Sequence, residues 1–490
     1  AKFLQEAEVV FKEGLNEDLA ATAVWGSQQA NLFPGARYDG VTGMWYGKAP
    51  GVDRTGDAFK HANFAGTWPK GGVLAVAGDD HTCKSSTLPS QSEYAFQDFE
   101  MPVLSPADVQ EVLDYGLMGI AMSRFSGLWV GLIALADTMD SGATIDVSIG
   151  RHRPVSPANF QLPAGGLGIR LKDQPLEKER RLRNFKLPAA LAFARANRID
   201  RVMLGAARPR LGVVCQGQAY KDVIEALAAM GLSPGQAADL GVAIYKVGMP
   251  WPLEPTGLRA FAAGLETLMV IEHKRPLIET QARAALYDLP AHARPRVIGK
   301  VDEQGHPLLS QLGALSVAEV ALAIADRLPP GPHMNRVNDY LARVSAASMA
   351  AVTLAADQQR KPFFCSGCPH NTSTRLPEGS RALAGIGCHY MASFNDPQTD
   401  LNSHMGGEGL SWVGAAPFTT EPHVFVNLGD GTYNHSGSLA IRASVAAGSH
   451  VTYKLLFNDA VAMTGGQAPE SGFTPAQITR QLAAEGVART

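Results

Sequence analysis

Several features that mark common protein classes are scarce in this chain of 490 residues. It has only five cysteines, too few for a disulfide framework at this length. Positive charge is not in excess, with 43 Lys and Arg against 46 Asp and Glu, and no basic block suggests nucleic-acid binding. No apolar run approaches the roughly 18 residues that a membrane-spanning helix needs, and the charged N-terminal segment is unlike a signal peptide. We therefore expect a soluble, cytoplasmic protein that binds neither nucleic acid nor a membrane.

What the chain does have is a continuous alternation of strand and helix signals, in a sequence that is 46% hydrophobic. Its length favours roughly two to four domains. The alternation predicts an α/β protein made of three successive open α/β domains with largely parallel sheets. Because the chain starts inside a helical pattern and ends where a further strand is expected, we also expect the fold to be truncated at both ends.

Shifts in composition predict where these domains lie. We expect a first α/β domain at 1–175, a second at 176–310, a connector at 311–361 and a third α/β domain at 362–490. Pro329-Pro330-Gly331-Pro332 interrupts the connector, and a charge-rich stretch at 176–187 leads into the second domain. Strands are predicted at 38–45, 73–77, 211–215, 243–247 and 268–272, and helices at 53–65, 188–196 and 220–230.

The most specific signal is Gly429-Asp430-Gly431, which follows an apolar run at 424–428. A helical pattern comes next, and a second apolar run at 451–457 leads to Asn458. One β-α-β unit of about 30 residues would place Asp430 and Asn458 at the carboxyl ends of neighbouring parallel strands. Their oxygens can then share one cation, while backbone N–H groups at the glycines approach a pyrophosphate. The pattern predicts Mg²⁺ with a diphosphate, although a bare Gly-Asp-Gly is also an ordinary strand-to-helix turn.

Three of the five cysteines lie close together in the sequence, at Cys365, Cys368 and Cys388. Thiolates at this spacing suit either Zn²⁺ or a 4Fe-4S cluster, and both take four ligands. A zinc site could use His370 or His389, whereas a cluster would take a further cysteine beyond the end of this sequence. A redox dithiol or a pair of buried structural thiols are the alternatives. The position of the motif before a diphosphate-binding domain favours a redox centre.

These motifs resemble those of indolepyruvate ferredoxin oxidoreductases of the fused bacterial type, which belong to the thiamine-diphosphate-dependent 2-oxoacid:ferredoxin oxidoreductases. The resemblance covers essentially the whole chain and implies that the chain is an internal segment of such an enzyme. Its fold would be of the thiamine-diphosphate-binding type, with a pyrimidine-binding domain, a transketolase-C-like domain and, after the connector, a diphosphate-binding domain. The residues that carry the resemblance are 16–20, 78–81, 362–371, 377–381, 385–391 and 429–467.

The resemblance also implies a set of cofactors and ligands. The cofactors would be thiamine diphosphate, Mg²⁺ and a 4Fe-4S cluster. Asp430, Asn458 and the carbonyl of Ala460 would hold Mg²⁺. Gly429 and Gly431, on either side of Asp430, would bind the diphosphate. Cys365, Cys368 and Cys388 would hold the cluster. Asn434 departs from the family pattern, which has an aromatic residue there, and this puts the local shape of the pocket in doubt.

Two side chains are candidates for catalysis. By resemblance, Glu17 would hydrogen-bond N1′ of the aminopyrimidine; its alternative role is a capping carboxylate on a helix at 18–28. His435 could contact phosphate or the substrate carboxylate, or be an exposed polar residue at a helix start. Gly406 and Glu408 precede a helix and are candidates for contact with the aminopyrimidine ring, with plain turn chemistry as the alternative.

The implied reaction is oxidative decarboxylation of aryl 2-oxoacids such as indolepyruvate, giving aryl-acetyl-CoA and CO₂. Coenzyme A would take the acyl group, ferredoxin would accept the electrons from the cluster, and the enzyme would be a homodimer. One alternative is a non-oxidative thiamine-diphosphate-dependent decarboxylase or lyase with a structural zinc. Another is an inactive fragment that binds no cofactor.

Overall fold

A computed structural model describes residues 2–148, 150–151, 153–351, 361–461, 466–468 and 472–490 of the chain. It divides into two compact units. One is Glu17–Val352, and the other combines Ala1–Asn16, which includes helix α1 (Lys2–Glu6), with Thr353–Thr490. Among the described residues, no helix is long and apolar enough to cross a bilayer.

The unit Glu17–Val352 begins with a sheet of four parallel strands: β1 (Gly43–Lys48), β2 (Val73–Asp79), β3 (Val103–Leu104) and β4 (Trp129–Leu135). Their order is β1-β2-β4-β3, and β2 and β4 are buried along almost their whole length, as expected for central parallel strands. The accompanying helices are α2 (Glu17–Gln29), α3 (Ala49–Arg54), α4 (Gly56–Ala65), α5 (Glu93–Asp98), α6 (Val109–Ser126) and α7 (Ala136–Met139), with a 3₁₀ turn at Ala30–Leu32.

A long helix joins this sheet to the next one. It consists of α8 (Pro175–Arg181), a π-helical turn (Leu182–Lys186) and α9 (Leu187–Ala196). The sequence predicted only its second half, and treated the charges at 176–187 as a lead-in. Pro175 is suited to start a helix, and the buried Arg181 guanidinium is paired with Asp173, so the charges are accommodated within helical structure.

The second sheet contains β5 (Arg201–Leu204), β6 (Leu211–Gln216), β7 (Val242–Val247), β8 (Thr267–Ile271) and β9 (Arg296–Ile298). The order is β5-β7-β6-β8-β9, and β5 alone pairs antiparallel. The helices are α10 (Gly217–Ala229), α11 (Pro234–Asp239), α12 (Pro255–Ala262), α13 (Leu277–Tyr287), α14 (Val317–Ala325) and α15 (Met334–Ala351), with a 3₁₀ turn at Ala291–Ala293.

Part of the predicted connector at 311–361 belongs to the core of this second sheet. Val320 and Ile324 of α14 and Val337 of α15 are fully buried against β6, β7 and α10. A Ser316–Glu319 capping box starts α14, which explains why a helix forms there. The limits 1–175, 176–310 and 362–490 remain predictions.

Buried polar side chains connect the two sheets of this unit. Gln216, at the end of β6, donates from Nε2 to Oε1 of Glu93 at 3.3 Å. Burial, together with the neighbouring charges of Asp79 and Glu272, raises the pKa of Glu93 to about 8. The carboxyl ends of β2 and β6 therefore meet at a polar junction inside one compact unit.

The other unit holds a third parallel sheet: β10 (Ala382–Leu383), β11 (Thr399–Asp400), β12 (Val424–Gly429) and β13 (Val451–Leu456), in the order β11-β10-β12-β13. Its helices are α16 (His370–Ser373), α17 (Ala392–Asn395), α18 (Leu410–Ala415), α19 (Asp430–Thr432), α20 (Ser438–Ala446) and α21 (Pro475–Ala484), with 3₁₀ turns at Cys388–Met391 and Ala416–Phe418. A π-helical turn, Tyr433–Gly437, joins α19 to α20. The predicted three α/β sheets with largely parallel strands are confirmed.

The core of the first sheet yields a stability prediction. Phe59 is fully buried, and its ring lies edge-on to Trp45 at 4.9 Å between centroids and near Phe99 at 5.7 Å. We expect Phe59→Ala to lower the free energy of unfolding by about 3–5 kcal/mol, because a cavity replaces these contacts. Phe33→Ala, at a position that is 61% exposed, should change it by less than about 0.5 kcal/mol. Equal losses for both variants in urea titrations would contradict this core assignment.

Candidate functional site

The centre of the candidate site is the carboxylate of Asp430, the first residue of the helix after β12. Asp430 is 2% exposed. Its Oδ2 accepts hydrogen bonds from the backbone N–H groups of Asn458 at 3.2 Å and Asp459 at 2.7 Å. Its Oδ1 accepts from the N–H of Gly431 at 3.0 Å. The Asp430 side chain thus connects the turn after β12 to the turn after β13 by hydrogen bonds.

Parallel pairing puts these two turns at one edge of the sheet. Gly429 is in register with Leu456, so the Asp430 and Asn458 turns follow neighbouring strands, as the sequence predicts. Asn458 Oδ1 accepts from the N–H of Ala460 at 3.2 Å. The side chains at these two turns offer carboxylate and amide oxygens, which fit Mg²⁺ in kind. Their role as ligands remains a prediction.

Glu408 and Gly406 hold a second turn close to the start of this helix. Glu408 is buried, and it accepts hydrogen bonds from the backbone N–H groups of Gly406 at 2.7 Å and Ile386 at 3.4 Å. Burial raises the pKa of this carboxyl group. Gly406 has φ +88°, and a β-carbon there would lie 1.9 Å from Oγ of Ser436. Only glycine fits, so the backbone comes directly against the turn that contains His435.

His435 lies in the π-helical turn Tyr433–Gly437 and is half-buried. Its Nδ1 is 2.6 Å from Oγ of Ser436, and its carbonyl oxygen accepts a hydrogen bond from the Asn16 amide at 3.3 Å. It is therefore not simply an exposed residue at a helix start. Single π-helical turns are frequent at functional sites.

Glu17 belongs to the other compact unit, where it is the first residue of α2. Its side chain packs on Gly51: a β-carbon there would lie 2.5 Å from Cγ and 3.0 Å from Oε1 of Glu17. The Trp45 indole N–H donates to the Glu17 carbonyl at 3.0 Å. The Glu17 side chain thus lies close to Gly51, and its place in the first turn also suits it to a stabilising interaction with the helix dipole.

The cysteine motif forms a tight turn. The Cys368 N–H donates to the Cys365 carbonyl at 3.0 Å, and the Asn371 amide donates to both carbonyls of the pair. Burial raises the pKa of the Cys388 thiol, and the nearby charges of Cys368 and Cys365 raise it further, so the three sulfurs lie in one neighbourhood. Three thiols suit an iron-sulfur cluster in kind. Over the described residues, however, no three His, Cys, Asp or Glu side chains converge on a single metal position.

His389 lies between the cysteine turn and the Asp430 turn, a position that the sequence did not reveal. The sequence suggested it only as a possible zinc ligand. The side chain is 3% exposed, and its Cε1 would lie 3.4 Å from a β-carbon at Gly429. Burial and the charge of His370 lower the pKa of His389 to about 4. The sequence signal that could have indicated this position of His389 is Gly385-Ile386-Gly387-Cys388-His389, since Gly385 and Gly387 both lie against the His389 ring.

Two solved structures resemble parts of this chain. One is a 2-oxoglutarate:ferredoxin oxidoreductase from Magnetococcus marinus, with 2-oxoglutarate, coenzyme A and succinyl-CoA bound, at a TM-score of 0.44 and 14% identity. That match covers 66% of this chain and 58% of the other. The second is a split gene transketolase, an inactive β4 tetramer, at a TM-score of 0.37 and 14% identity, covering 65% of this chain and 84% of the other.

The sequence comparisons point to one family. A family model described as an indolepyruvate oxidoreductase domain matches residues 201–351. Indolepyruvate oxidoreductase subunit IorA of Thermococcus kodakarensis is 25% identical, over 93% of this chain and 70% of its own length. IorA of Methanothermobacter thermautotrophicus is 24% identical, over 88% of this chain and 66% of its own length. The chain thus spans about two thirds of the relatives it matches. Over most of its length, the chain is similar to indolepyruvate oxidoreductase subunit IorA.

Proposed function

We propose that the chain binds thiamine diphosphate with Mg²⁺ and acts in the oxidative decarboxylation of aryl 2-oxoacids such as indolepyruvate. The products are aryl-acetyl-CoA and CO₂, and ferredoxin accepts the electrons. The observation that carries this proposal is the Asp430 carboxylate bonded to the N–H groups of Asn458 and Asp459 across the ends of two parallel strands. The names of the relatives support indolepyruvate as substrate.

The residues of the Asp430 turn have a defined task in this proposal. Asp430 and Asn458 offer side-chain oxygens to Mg²⁺, and Ala460 offers its carbonyl. The helix that starts at Asp430 runs to Ala446 through its π-helical turn, so its N-terminal end favours the negative charge of a diphosphate. Gly429 and Gly431 flank Asp430 without side chains, which leaves the backbone accessible to that anion.

Bound thiamine diphosphate supplies a nucleophilic carbon that releases CO₂ from a 2-oxoacid. The task of Glu17 is to hold a proton at N1′ of the aminopyrimidine. The half-buried Glu17 side chain, which lies close to Gly51, supports this proposal. Gly406 and Glu408 shape the turn beside Ser436, where the aminopyrimidine ring is proposed to lie, and His435 is proposed to contact phosphate or the substrate carboxylate.

The proposed task of Cys365, Cys368 and Cys388 is to hold a 4Fe-4S cluster, which would supply a single-electron acceptor on the way to ferredoxin. Coenzyme A as acyl acceptor, a homodimeric enzyme and a cytoplasmic location belong to the same proposal. These parts rest on the similarity to the indolepyruvate oxidoreductases.

Asp430→Asn tests the magnesium site. Asn keeps the size of the side chain but removes the charge, and we expect thiamine-diphosphate affinity in Mg²⁺ to fall by more than about 100-fold, since even outer residues of metal sites are worth 10–100-fold. Asp459→Asn is the matched control, because Asp459 is the exposed neighbour in the same turn. Calorimetry should show near-normal binding for that variant. Equal affinities in the two variants would contradict the assignment of Asp430.

Glu17→Gln tests the proton relay. An amide cannot exchange the N1′ proton, so we expect indolepyruvate-dependent ferredoxin reduction by the assembled enzyme to fall by ~10²–10⁴-fold while cofactor binding persists. Asp18→Asn is the control for a helix-start effect, since Asp18 also lies in the first turn of α2. If Glu17→Gln keeps the parental rate, or Asp18→Asn loses as much, Glu17 stabilises the helix and the relay lies elsewhere.

Cys368→Ala tests the cluster. After anaerobic purification of the assembled enzyme, we expect this variant to lose iron, acid-labile sulfide and the broad visible absorption, and to retain thiamine diphosphate. Cys83→Ser, in the other compact unit, is the control and should keep the iron, the sulfide, the absorption and the thiamine diphosphate. Stoichiometric zinc without iron in the parent protein would overturn the oxidative reaction and favour the lyase alternative.

A further inference from the structure

His389 sits in a space made by three glycines. A β-carbon at Gly385 would lie 2.7 Å from its Nε2, one at Gly387 would lie 2.7 Å from its Cε1, and one at Gly429 would lie 3.4 Å from the same Cε1. The first two distances are shorter than any normal contact, so the ring occupies room that side chains at Gly385 and Gly387 would need. The ring is therefore confined between the segment that carries Cys388 and the turn that carries Asp430.

The His389 ring also lies near His370, which follows the Cys365–Cys368 turn. The His370 and His389 rings are 6.1 Å apart between centroids and nearly perpendicular, at 88°. His370 in turn lies 5.6 Å from the ring of Phe364. Since Phe364 precedes Cys365 and His370 follows Cys368 by two residues, a row of three rings runs from the cysteine turn to Gly429.

The polar atoms beside this row have no partner in the described part of the chain. Nε2 of His389 makes no hydrogen bond, and neither does the side-chain amide of Asn427, which is fully buried in β12. Both residues approach the same glycine, because a β-carbon at Gly385 would lie 2.1 Å from the Asn427 carbonyl oxygen. Buried polar groups normally have partners, so Nε2 does not hold the imidazole in place, and the position of the ring depends on its packing.

We propose that His389 is a positioning residue, which fixes the Cys388 turn against Gly429 and so couples the cysteine centre to the diphosphate-binding turn. His389 is bonded to Cys388 in the chain, and its ring packs against Gly429. A ligand bound at the Asp430 turn therefore changes the surroundings of Cys388 through this ring. The ligand part of the inference rests on the proposed binding of thiamine diphosphate.

Alkylation of Cys388 in the chain free of metal and cofactor, followed by peptide mass spectrometry, tests the positioning itself. Cys388 is half-buried, and thiol reactivity depends on access. We expect His389→Ala to raise its alkylation rate severalfold, because the turn loses its contact with Gly429. His389→Phe restores a ring of similar shape and should return the rate towards that of the parent. His450→Ala, at an exposed histidine of the same unit, is the control and should leave the rate unchanged.

The same measurement with saturating thiamine diphosphate and Mg²⁺ tests the coupling. In the parent chain the ligand should change the Cys388 alkylation rate, and in His389→Ala that change should disappear while calorimetry still detects binding. An unchanged Cys388 rate in cofactor-free His389→Ala would overturn the inference, as would a full ligand effect in that variant. If calorimetry finds no thiamine-diphosphate binding to the parent chain, the proposed function fails, and the cofactor-free comparison still decides the role of His389.

Discussion

The site depends on one carboxylate that accepts three backbone hydrogen bonds. Asp430 joins the turn after β12 to the turn after β13, and without it the N–H groups of Asn458 and Asp459 would lose their acceptor. Hydrogen bonds to a charged group contribute about 1.5–3 kcal/mol each, so this contact fixes the geometry of both turns. Because the acceptor is a carboxyl group, the same residue that orders the backbone also places oxygen ligands where a cation is proposed. The Asp430 side chain therefore both orders the two turns and is a proposed ligand of the cation.

Around Asp430, glycines allow the backbone to pack closely against neighbouring segments of the unit. Gly406 comes against Ser436, Gly385 against the Asn427 carbonyl, and Gly429 against His389. The buried Glu408 side chain accepts hydrogen bonds from the N–H groups of both Gly406 and Ile386. The backbone carbonyl of Glu408 accepts a hydrogen bond from the Tyr453 hydroxyl at 2.9 Å. These contacts bring the cysteine segment, the Gly406 turn and the Asp430 turn together at the carboxyl edge of one sheet, where ligands bind in open α/β folds.

The sequence predicts those parts of this arrangement that depend on local pattern. The β-α-β unit from β12 to β13 is encoded in consecutive residues, and its strands, helix and two turns lie where the pattern indicates. The first strand was predicted at 38–45 but forms at Gly43–Lys48, since its limits are set by pairing with β2. The burial of α14 and the approach of His389 to Gly429 depend on residues far away in the chain, so no local pattern could reveal them, whereas the room that Gly385 and Gly387 leave for the His389 ring is a local feature.

The most direct test of the central claim places Mn²⁺ in the proposed magnesium site and measures its coupling to phosphorus by electron-nuclear double resonance. If Asp430, Asn458 and Ala460 hold the metal on a diphosphate, addition of thiamine diphosphate should produce a ³¹P coupling to Mn²⁺ in the parent chain. The coupling should be absent without the cofactor. Binding of thiamine diphosphate with no ³¹P coupling, or with unchanged affinity when every divalent cation is removed, would contradict the account.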